Sequence, residues 1–281
     1  MGLRVRVYTS DNKDENHVLR AFFEGCGADD TWIGDLDNYE PSDIAVVFGT
    51  FKKQVPISFR RGHVVREQKR LGLDTVLLET GYLNRGAGPQ HHYAVGLNGL
   101  NGRADFNNKN CPDNRARPFI HMLKPWRQDG EHILLCGQVP WDASVDHIDF
   151  LKWVESTTRT IMRQSKRPII YRPHPLAKTP PPWGVKLSTN YWLQDDLKDC
   201  WCVVTFNSNS GVEAIVGGVP AVAMDEGSMI MGVETNIGQI ESPRMPDRQQ
   251  WLNNLCYAQW TPEEMKEGMA WDHLSILMPK K

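Results

Sequence analysis

The sequence predicts an α/β protein that contains two parallel β-sheets. Short apolar runs rich in β-branched residues recur along the chain, and stretches long enough for a crossover helix separate them. A long polar region divides these runs into two groups. Because the runs are apolar on both faces, they suit parallel strands covered by helices. A single doubly wound sheet is the alternative.

Each apolar run predicts one strand. The predicted strands are Leu3–Tyr8, Ile44–Phe48, Thr75–Glu79, His132–Cys136, Pro168–Arg172, Cys202–Phe206 and Pro220–Met224. From Val145 to Ile161, apolar residues recur at three- and four-residue steps, which predicts a helix with Asp142 and Ser144 available as caps. A second helix is expected from Gly211 to about Gly217, where two consecutive glycines end it.

The polar region defines the expected domains. From Asn98 to Gly130, Gly, Asn, Asp, Arg and Pro dominate and no hydrophobic period continues. We therefore expect an N-terminal acceptor-binding domain over residues 1–125 and a C-terminal nucleotide-sugar-binding domain over residues 126–245. The tail, residues 246–281, has a helical pattern, and we expect it to pack back on the first domain.

The composition excludes several classes of protein. The 281 residues are 40% hydrophobic and 23% charged, with a net charge of −2, so the chain lacks the composition of a disordered protein. No run approaches the roughly 18 apolar residues of a membrane span, and the N-terminus lacks a signal-peptide pattern. The six cysteines include no CxxC pair. These features predict a cytoplasmic protein with no membrane partner and no metal site, and they leave the oligomeric state open.

Charge is distributed unevenly along the chain. Residues 1–43 carry a net charge of −6, residues 44–130 carry +8, and residues 131–281 carry −4. A basic segment is either an ordinary solvated face or a surface that binds an anionic partner. Its densest part contains Lys52, Lys53, Arg60, Arg61, Arg66, Lys69 and Arg70.

Two segments of the second half combine strand ends with polar side chains. An apolar strand ends in Arg172, His174 and two prolines, and prolines prevent its continuation. Further along, a strand breaks into Asn207, Ser208 and Ser210 where a helix must begin. Such residues are ordinary caps, but exposed N–H groups and hydroxyls at a helix start also suit a phosphate. Since ligands bind at the carboxyl edge of open α/β sheets, the two segments together favour a nucleotide phosphate site.

These segments also resemble a known family, the capsule-polysaccharide-synthesis glycosyltransferases. The resemblance includes Gly137–Ser144, Arg172–Pro175 and Asn207–Ala214, and it covers about residues 132–225. Members of this family are relatives of bacterial sialyltransferases and Kdo transferases. The resemblance implies a glycosyltransferase-B-like fold, with two Rossmann-like domains facing across a cleft. The acidic base motif of the sialyltransferases is missing as such.

The resemblance implies roles for individual residues. In this family a His-Pro motif and a serine motif hold the nucleotide and its phosphate, which implies that role for His174, Pro175, Ser208 and Ser210. The donor would be a CMP- or UDP-linked sugar, with no permanently bound cofactor. The remaining donor-site candidates are Gln138, Arg172, Asn207, Gly211 and Glu213.

The catalytic candidates lie in the first half. Glu79 ends a predicted strand and precedes a glycine turn, which suits a general base that takes the proton of an acceptor hydroxyl. The alternative is a structural carboxylate paired with Arg85 or Arg103. Asp105, in a Gly-rich polar stretch, is the second candidate. Two other classes stay open: a non-catalytic nucleotide-binding protein that lacks a base facing the donor, and a phosphosugar isomerase or epimerase that needs a pair of acid/base groups.

The basic segment lies in the half that would bind the acceptor. Lys52, Lys53, Arg60, Arg61 and Arg66 are the acceptor-binding candidates, and their charge predicts a polyanionic acceptor. Our first expectation is DNA with hydroxymethylated pyrimidines, because the compact, Asn- and Trp-rich chain resembles phage-encoded sugar transferases that modify DNA bases in the host cytoplasm. The alternative acceptor is an anionic capsule-type glycan.

Overall fold

The computed structural model describes residues 2–9, 12–50 and 56–278. The chain forms two compact units. Unit 1 contains Met1–Arg115 and Leu252–Lys281, and unit 2 contains Ala116–Trp251. The first boundary therefore precedes the expected residue 125, and the chain re-enters unit 1 a few residues after the expected start of the tail.

Strands and helices alternate through most of the chain. The strands are β1 (Arg4–Thr9), β2 (Asp30–Asp35), β3 (Ile44–Phe48), β4 (Asp74–Thr80), β5 (Tyr93–Leu97), β6 (His132–Cys136), β7 (Ile169–Arg172), β8 (Lys186–Leu187), β9 (Cys200–Thr205), β10 (Ala221–Ala223) and β11 (Gln259–Trp260). The α-helices are α1 (Lys13–Glu24), α2 (Pro56–Arg70), α3 (Phe150–Gln164), α4 (Leu193–Asp196), α5 (Ser210–Val216), α6 (Gln249–Cys256), α7 (Pro262–Lys266) and α8 (Met269–Ser275).

The sheet of unit 1 is mostly parallel. Its strand order is β11-β5-β4-β3-β1-β2, in which β2, β1, β3 and β4 are parallel. Strand β5 runs antiparallel to β4, and β11 runs antiparallel to β5. β2, β5 and β11 are not predicted from the sequence, because β2 is a half-polar edge strand, β11 has two residues, and Gly96 interrupts the short apolar run of β5.

The sheet of unit 2 is entirely parallel, with the order β10-β9-β6-β7-β8. Two separate sheets, both dominated by parallel pairs, confirm the predicted α/β class and exclude the single doubly wound sheet. In unit 2, the apolar strands β6, β7 and β9 pack against helix α3 in one core. This core contains Ile133, Val154, Ile161, Tyr171 and Val204. The short edge strand β8 is exposed and is not predicted.

Both faces of the unit 1 sheet are buried. Because side chains alternate along a strand, Val46 belongs to one core with Val18 of α1 and Trp260 of the C-terminal segment. Ala45 belongs to a second core, on the other face, with Val64 of α2. This two-sided burial accounts for the uninterrupted apolar runs of the central strands.

The cap of α3 differs from the prediction. Asp149 precedes the helix, and its carboxylate accepts a hydrogen bond from the Lys152 N–H at 3.2 Å. Asp142 instead accepts bonds from the Ser144 N–H and hydroxyl, which stabilises a preceding turn. The expected start at Val145 is wrong because turns occupy the chain before Asp149, although the apolar side chain of Val145 still packs into the core.

Arg115 anchors the C-terminal segment within unit 1. Its guanidinium donates to both carboxylate oxygens of Glu264, at 2.7 and 3.0 Å. It also donates to the carbonyls of Cys256 and Gln259 and lies 3.7 Å from the ring centroid of Trp260. Burial alone would raise the pKa of the Glu264 carboxyl, but Arg115, together with the Thr261 N–H and the charge of His92, lowers that pKa below its ordinary value.

We expect Arg115→Met to lower the free energy of unfolding by about 3 to 5 kcal/mol, because it leaves a partly buried carboxylate without its partner. A carboxyl whose pKa is lowered by folding adds stability above its unfolded pKa of about 4.3 and loses it as the pH falls through the folded value. The native protein should therefore lose more stability than the variant below about pH 4.3. Urea unfolding at neutral and acidic pH measures both effects.

The matched control is Lys266→Met, which removes an exposed ion pair with Glu24 at 3.2 Å in the same segment. Exposed pairs contribute about 0 to 1 kcal/mol. A loss in the Arg115 variant no larger than in this control would contradict the anchoring role.

Candidate functional site

The carboxyl ends of three parallel strands meet in unit 2. Cys136 of β6 is in register with Arg172 of β7 on one side and with Thr205 of β9 on the other. The segments that follow these residues therefore leave the sheet at one edge. This edge brings together the three polar segments that are predicted to form the donor site.

Gln138 and Asn207 hold two of these segments together. The Gln138 amide donates to the Asn207 side-chain oxygen at 2.8 Å, and the Asn207 backbone N–H donates to the Gln138 oxygen at 3.0 Å. Asn207 also donates to the Ser144 carbonyl and to Asp225. Both residues are buried. Their polar groups bond to one another, so they position the edge and do not present donors to a ligand.

Arg172 is engaged by a buried carboxylate. It donates to Asp196 at 2.5 Å and to the backbone carbonyls of Asn190 and Tyr191 at 3.0 and 2.7 Å. Asp196 also accepts hydrogen bonds from Ser188 and Asn190. Arg172 thus fixes the loop between β8 and α4, which differs from the direct donor contact expected from the sequence.

His174 lies half-buried two residues beyond the end of β7. Its Nδ1 accepts a hydrogen bond from the Leu176 N–H at 3.2 Å, so Nε2 is the ring nitrogen that donates. A backbone bridge between His174 and Ala177 closes the turn, and Pro175 is exposed at its tip. The turn therefore holds the imidazole as a hydrogen-bond donor at the sheet edge.

Ser208 and Ser210 shape the junction between β9 and α5. The Ser208 hydroxyl accepts from the Ser210 N–H at 3.2 Å, and the Ser208 carbonyl accepts from the Gly211 N–H at 3.0 Å. The Ser210 hydroxyl is buried without an oxygen or nitrogen partner, and its polar neighbour is the Cys136 thiol. Burial raises the pKa of this thiol to about 12, and its hydrogen bond with Ser210 acts in the opposite direction.

Gly211 and Glu213 both contact other residues of the protein, Gly211 by close packing and Glu213 by a hydrogen bond. A Cβ on Gly211 would lie 3.2 Å from the Ile230 side chain, so this glycine allows close packing of α5. The Glu213 carboxylate accepts a hydrogen bond from Gln194 of α4 at 3.0 Å. Glu213 therefore links α4 to the first turn of α5 at this edge.

Glu79 lies near the carboxyl end of β4 in unit 1. Its Oε1 accepts a hydrogen bond from the Thr80 N–H at 2.9 Å. Gly49, which follows β3 with a φ of +67°, brings the backbone close: a Cβ there would lie 3.6 Å from Glu79 Oε2 and 3.5 Å from an Arg61 nitrogen. Arg61 is buried and forms an ion pair with Glu15 of α1. Two carboxylates and one arginine therefore cluster beside Gly49.

Asp105 lies at the opposite edge of the same sheet. It forms a backbone bridge with Leu97, and Leu97 pairs with Val76 near the start of β4, whereas Glu79 pairs with Ala94 near its end. Its exposed carboxylate accepts from the Asn107 N–H at 3.0 Å, which stabilises a turn. The base role expected for Asp105 does not fit this position, because the antiparallel β5 carries the chain back to the amino edge.

Within residues 56–70, the part of the basic segment that the structure describes, the arginines and Lys69 do not form one free cationic surface. Arg60 pairs with Asp37 at 2.6 Å and Arg70 pairs with Glu67 at 2.8 Å, while the buried Arg61 is held by Glu15. Arg66 and Lys69 are exposed on α2. Lys52 and Lys53 lie outside the described residues.

No group of three or more His, Cys, Asp or Glu side chains suited to a metal ion occurs within residues 2–9, 12–50 and 56–278. Among the helices of this part of the chain, none has the length and apolar character that a bilayer span requires.

Two solved structures have a similar fold, and both are described as KpsC from Thermosulfurimonas dismutans. The β-Kdo 2,7-transferase is 16% identical over 98% of this chain and 99% of that chain, with a TM-score of 0.56. The β-Kdo 2,4-transferase is 15% identical over 91% of this chain and 90% of that chain, with a TM-score of 0.57. At this identity the likeness concerns the fold, and it confirms the glycosyltransferase-B-like architecture.

Comparison with known sequences adds nothing to this result. No protein-family profile matches the chain, and no curated protein matches it.

Several residues of the site are not predicted from the sequence. Asp196 and Asn190 hold the loop that Arg172 contacts, Gln194 links α4 to α5, and Arg61 with its partner Glu15 lies near Glu79. The Asp195–Asp196 pair that follows two aromatic residues is the one local signal for the first group. The pair of Arg61 with Glu15 has no local signal, because 46 residues separate them.

Gly137, which directly follows β6, is required by close packing under the edge. A Cβ there would lie 2.6 Å from the hydroxyl of the fully buried Tyr171. We expect Gly137→Ala to destabilise the protein by about 1 to 3 kcal/mol, as overpacking does. Tyr171→Phe removes the colliding oxygen and its bond to Thr179, so the double variant should lose less stability than the two single losses combined. Additive losses, measured by urea unfolding, would contradict this contact.

Proposed function

We propose that this protein is a glycosyltransferase that moves a sugar from a nucleotide sugar to a hydroxyl acceptor. One observation carries the proposal: His174 and the Ser208–Gly211 segment meet at the carboxyl edge of a parallel sheet, in a chain with the fold of two Kdo transferases. This edge is where ligands bind in open α/β sheets.

Unit 2 binds the donor in this proposal. The Nε2–H of His174 and the buried Ser210 hydroxyl donate hydrogen bonds to phosphate oxygens of a CMP- or UDP-linked sugar. Such bonds stabilise the negative charge that develops on the phosphate as the sugar leaves. Gln138, Asn207 and Arg172 hold the surrounding segments in place. The proposal assigns no metal ion and no permanently bound cofactor.

Unit 1 supplies the base. As the acceptor oxygen forms its bond to the anomeric carbon, the bond from that carbon to the phosphate oxygen breaks and the nucleotide leaves with the electron pair. The acceptor proton goes to Glu79, whose Oε1 is already held by the Thr80 N–H. Arg61, which is paired with Glu15, adds a positive charge beside Glu79 next to Gly49.

A saccharide hydroxyl is the acceptor that we favour. Two solved structures with a similar fold are Kdo transferases. In addition, Arg60, Arg61 and Arg70 are paired with carboxylates, which reduces the positive charge available to a DNA backbone. DNA with hydroxymethylated pyrimidines is the second candidate, since Arg66 and Lys69 are exposed on α2.

A screen of CMP- and UDP-linked sugars tests the activity. The protein is incubated with each donor and with either anionic oligosaccharides or hydroxymethylated DNA, and mass spectrometry follows nucleotide release and the mass of the acceptor. We expect a sugar-sized addition to an oligosaccharide. An addition to DNA bases would instead identify hydroxymethylated DNA, the second candidate, as the acceptor. An altered nucleotide sugar with unchanged acceptors would indicate an epimerase and overturn the proposal.

The donor site is tested by His174→Ala and Ser210→Ala. A hydrogen bond to a charged phosphate contributes roughly 1.5 to 3 kcal/mol, so each variant should bind the nucleotide about 10- to 150-fold more weakly. Calorimetric titration with CMP and UDP measures the loss. His121→Ala is the control, because His121 is exposed elsewhere in unit 2. Equal affinity in all three variants and the unaltered protein would remove the donor-site assignment.

The base is tested by Glu79→Gln. A positioned general base contributes about 10² to 10⁴ in rate, so turnover should fall by that factor while nucleotide affinity stays nearly unchanged. Asp105→Asn is the matched control, because it also removes a carboxylate charge but at the opposite edge of the sheet. Full turnover in the Gln variant, or an equal loss in the Asn variant, would refute the assignment to Glu79.

A further inference from the structure

Two neighbouring aromatic side chains are exposed in unit 2. Tyr191 is 81% exposed and Trp192 is 63% exposed, and their ring centroids lie 4.7 Å apart in an edge-to-face pair. Large aromatic side chains usually bury much of their area, so an exposed pair requires an explanation. The surroundings of this pair indicate which ligand it serves.

The backbone beneath the pair is held firmly. Asp196 is buried and accepts hydrogen bonds from Arg172, Ser188 and Asn190 at 2.5 to 2.8 Å. Arg172 in turn donates to the Tyr191 carbonyl at 2.7 Å. These bonds order a loop whose two aromatic side chains remain largely outside the core. The loop therefore presents the rings from a fixed position.

The loop also adjoins the donor edge on two sides. Arg172, which holds Tyr191, is the last residue of β7 and precedes His174 by two positions. Gln194, two positions after Trp192, donates to Glu213 in the first turn of α5 at 3.0 Å. The loop that carries the pair is thus linked to β7 through Arg172 and to α5 through Gln194, the elements next to the two proposed phosphate contacts.

We propose that Tyr191 and Trp192 form a platform on which the base of the donor nucleotide stacks. This inference rests on the proposed function, and it adds a subsite for the base to the phosphate contacts of His174 and Ser210. Both faces of a nucleobase are π surfaces, and exposed aromatic rings bind them by stacking. A platform of this kind adds affinity without hydrogen bonds that read the base, so it accepts cytosine and uracil alike.

The test compares ligands with and without the base. CMP and UMP each contain one ribose 5-phosphate, so ribose 5-phosphate is the base-free probe for the same phosphate contact. We expect Tyr191→Ala and Trp192→Ala to weaken CMP and UMP binding about 5- to 150-fold, the range of base stacking, and to leave ribose 5-phosphate affinity unchanged. Trp192→Phe should retain most of the affinity. Isothermal titration calorimetry measures each value.

Trp183→Ala is the matched control, since Trp183 is 97% exposed in the same unit but precedes β8. It should leave nucleotide affinity unchanged. The substitutions at Tyr191 and Trp192 retain the backbone carbonyl that Arg172 holds.

The other outcomes are distinct. Equal nucleotide affinity in the alanine variants would overturn the platform, and so would an equal loss of ribose 5-phosphate affinity, which indicates damage to the phosphate site. Reduced sugar transfer with unchanged nucleotide affinity would assign the rings to the acceptor and also overturn the inference. Absence of nucleotide binding by the unaltered protein would overturn the proposed function itself.

Discussion

The parallel register of β6, β7 and β9 is the constraint on which the candidate donor site depends. Cys136, Arg172 and Thr205 are aligned across three neighbouring strands, so the segments that follow them must leave the sheet together. Apolar side chains on these strands pack against α3 and keep that register. Polar residues that follow these strands therefore lie at the same edge of the sheet, although they are far apart in the sequence and no local sequence pattern links them.

Most polar groups at this edge bond to one another. Gln138 and Asn207 exchange amide hydrogen bonds, and Arg172 and Asp196 form a buried ion pair. A buried polar side chain needs a hydrogen-bond partner for each of its polar atoms. The residue types at these positions are therefore restricted by the fold as much as by a ligand. The buried Ser210 hydroxyl differs from them, because its polar neighbour is the Cys136 thiol and not an oxygen or nitrogen group.

The sequence predicts the fold better than it predicts the site. Continuous apolar runs identify the interior strands, whereas β2, β8 and β11 lie at sheet edges, where short or half-polar sequences suffice. Asp105 shows why sites are harder to predict. Its place depends on β5 running antiparallel, which reverses the edge that its carboxylate reaches. Strand direction follows from long-range pairing, which a local pattern does not contain.

Charge patterns along a chain also change meaning once the chain folds. Residues 1–43 carry a net charge of −6 and residues 44–130 carry a net charge of +8. Considered separately, these values indicate an acidic segment and a cationic surface. In the structure the first segment supplies carboxylates to the second: Asp37 pairs with Arg60, and Glu15 pairs with the buried Arg61. Part of the apparent excess is therefore neutralised within unit 1. Because counterion release scales with the phosphates that free cations neutralise, these pairs reduce the affinity for DNA that the sequence alone would predict.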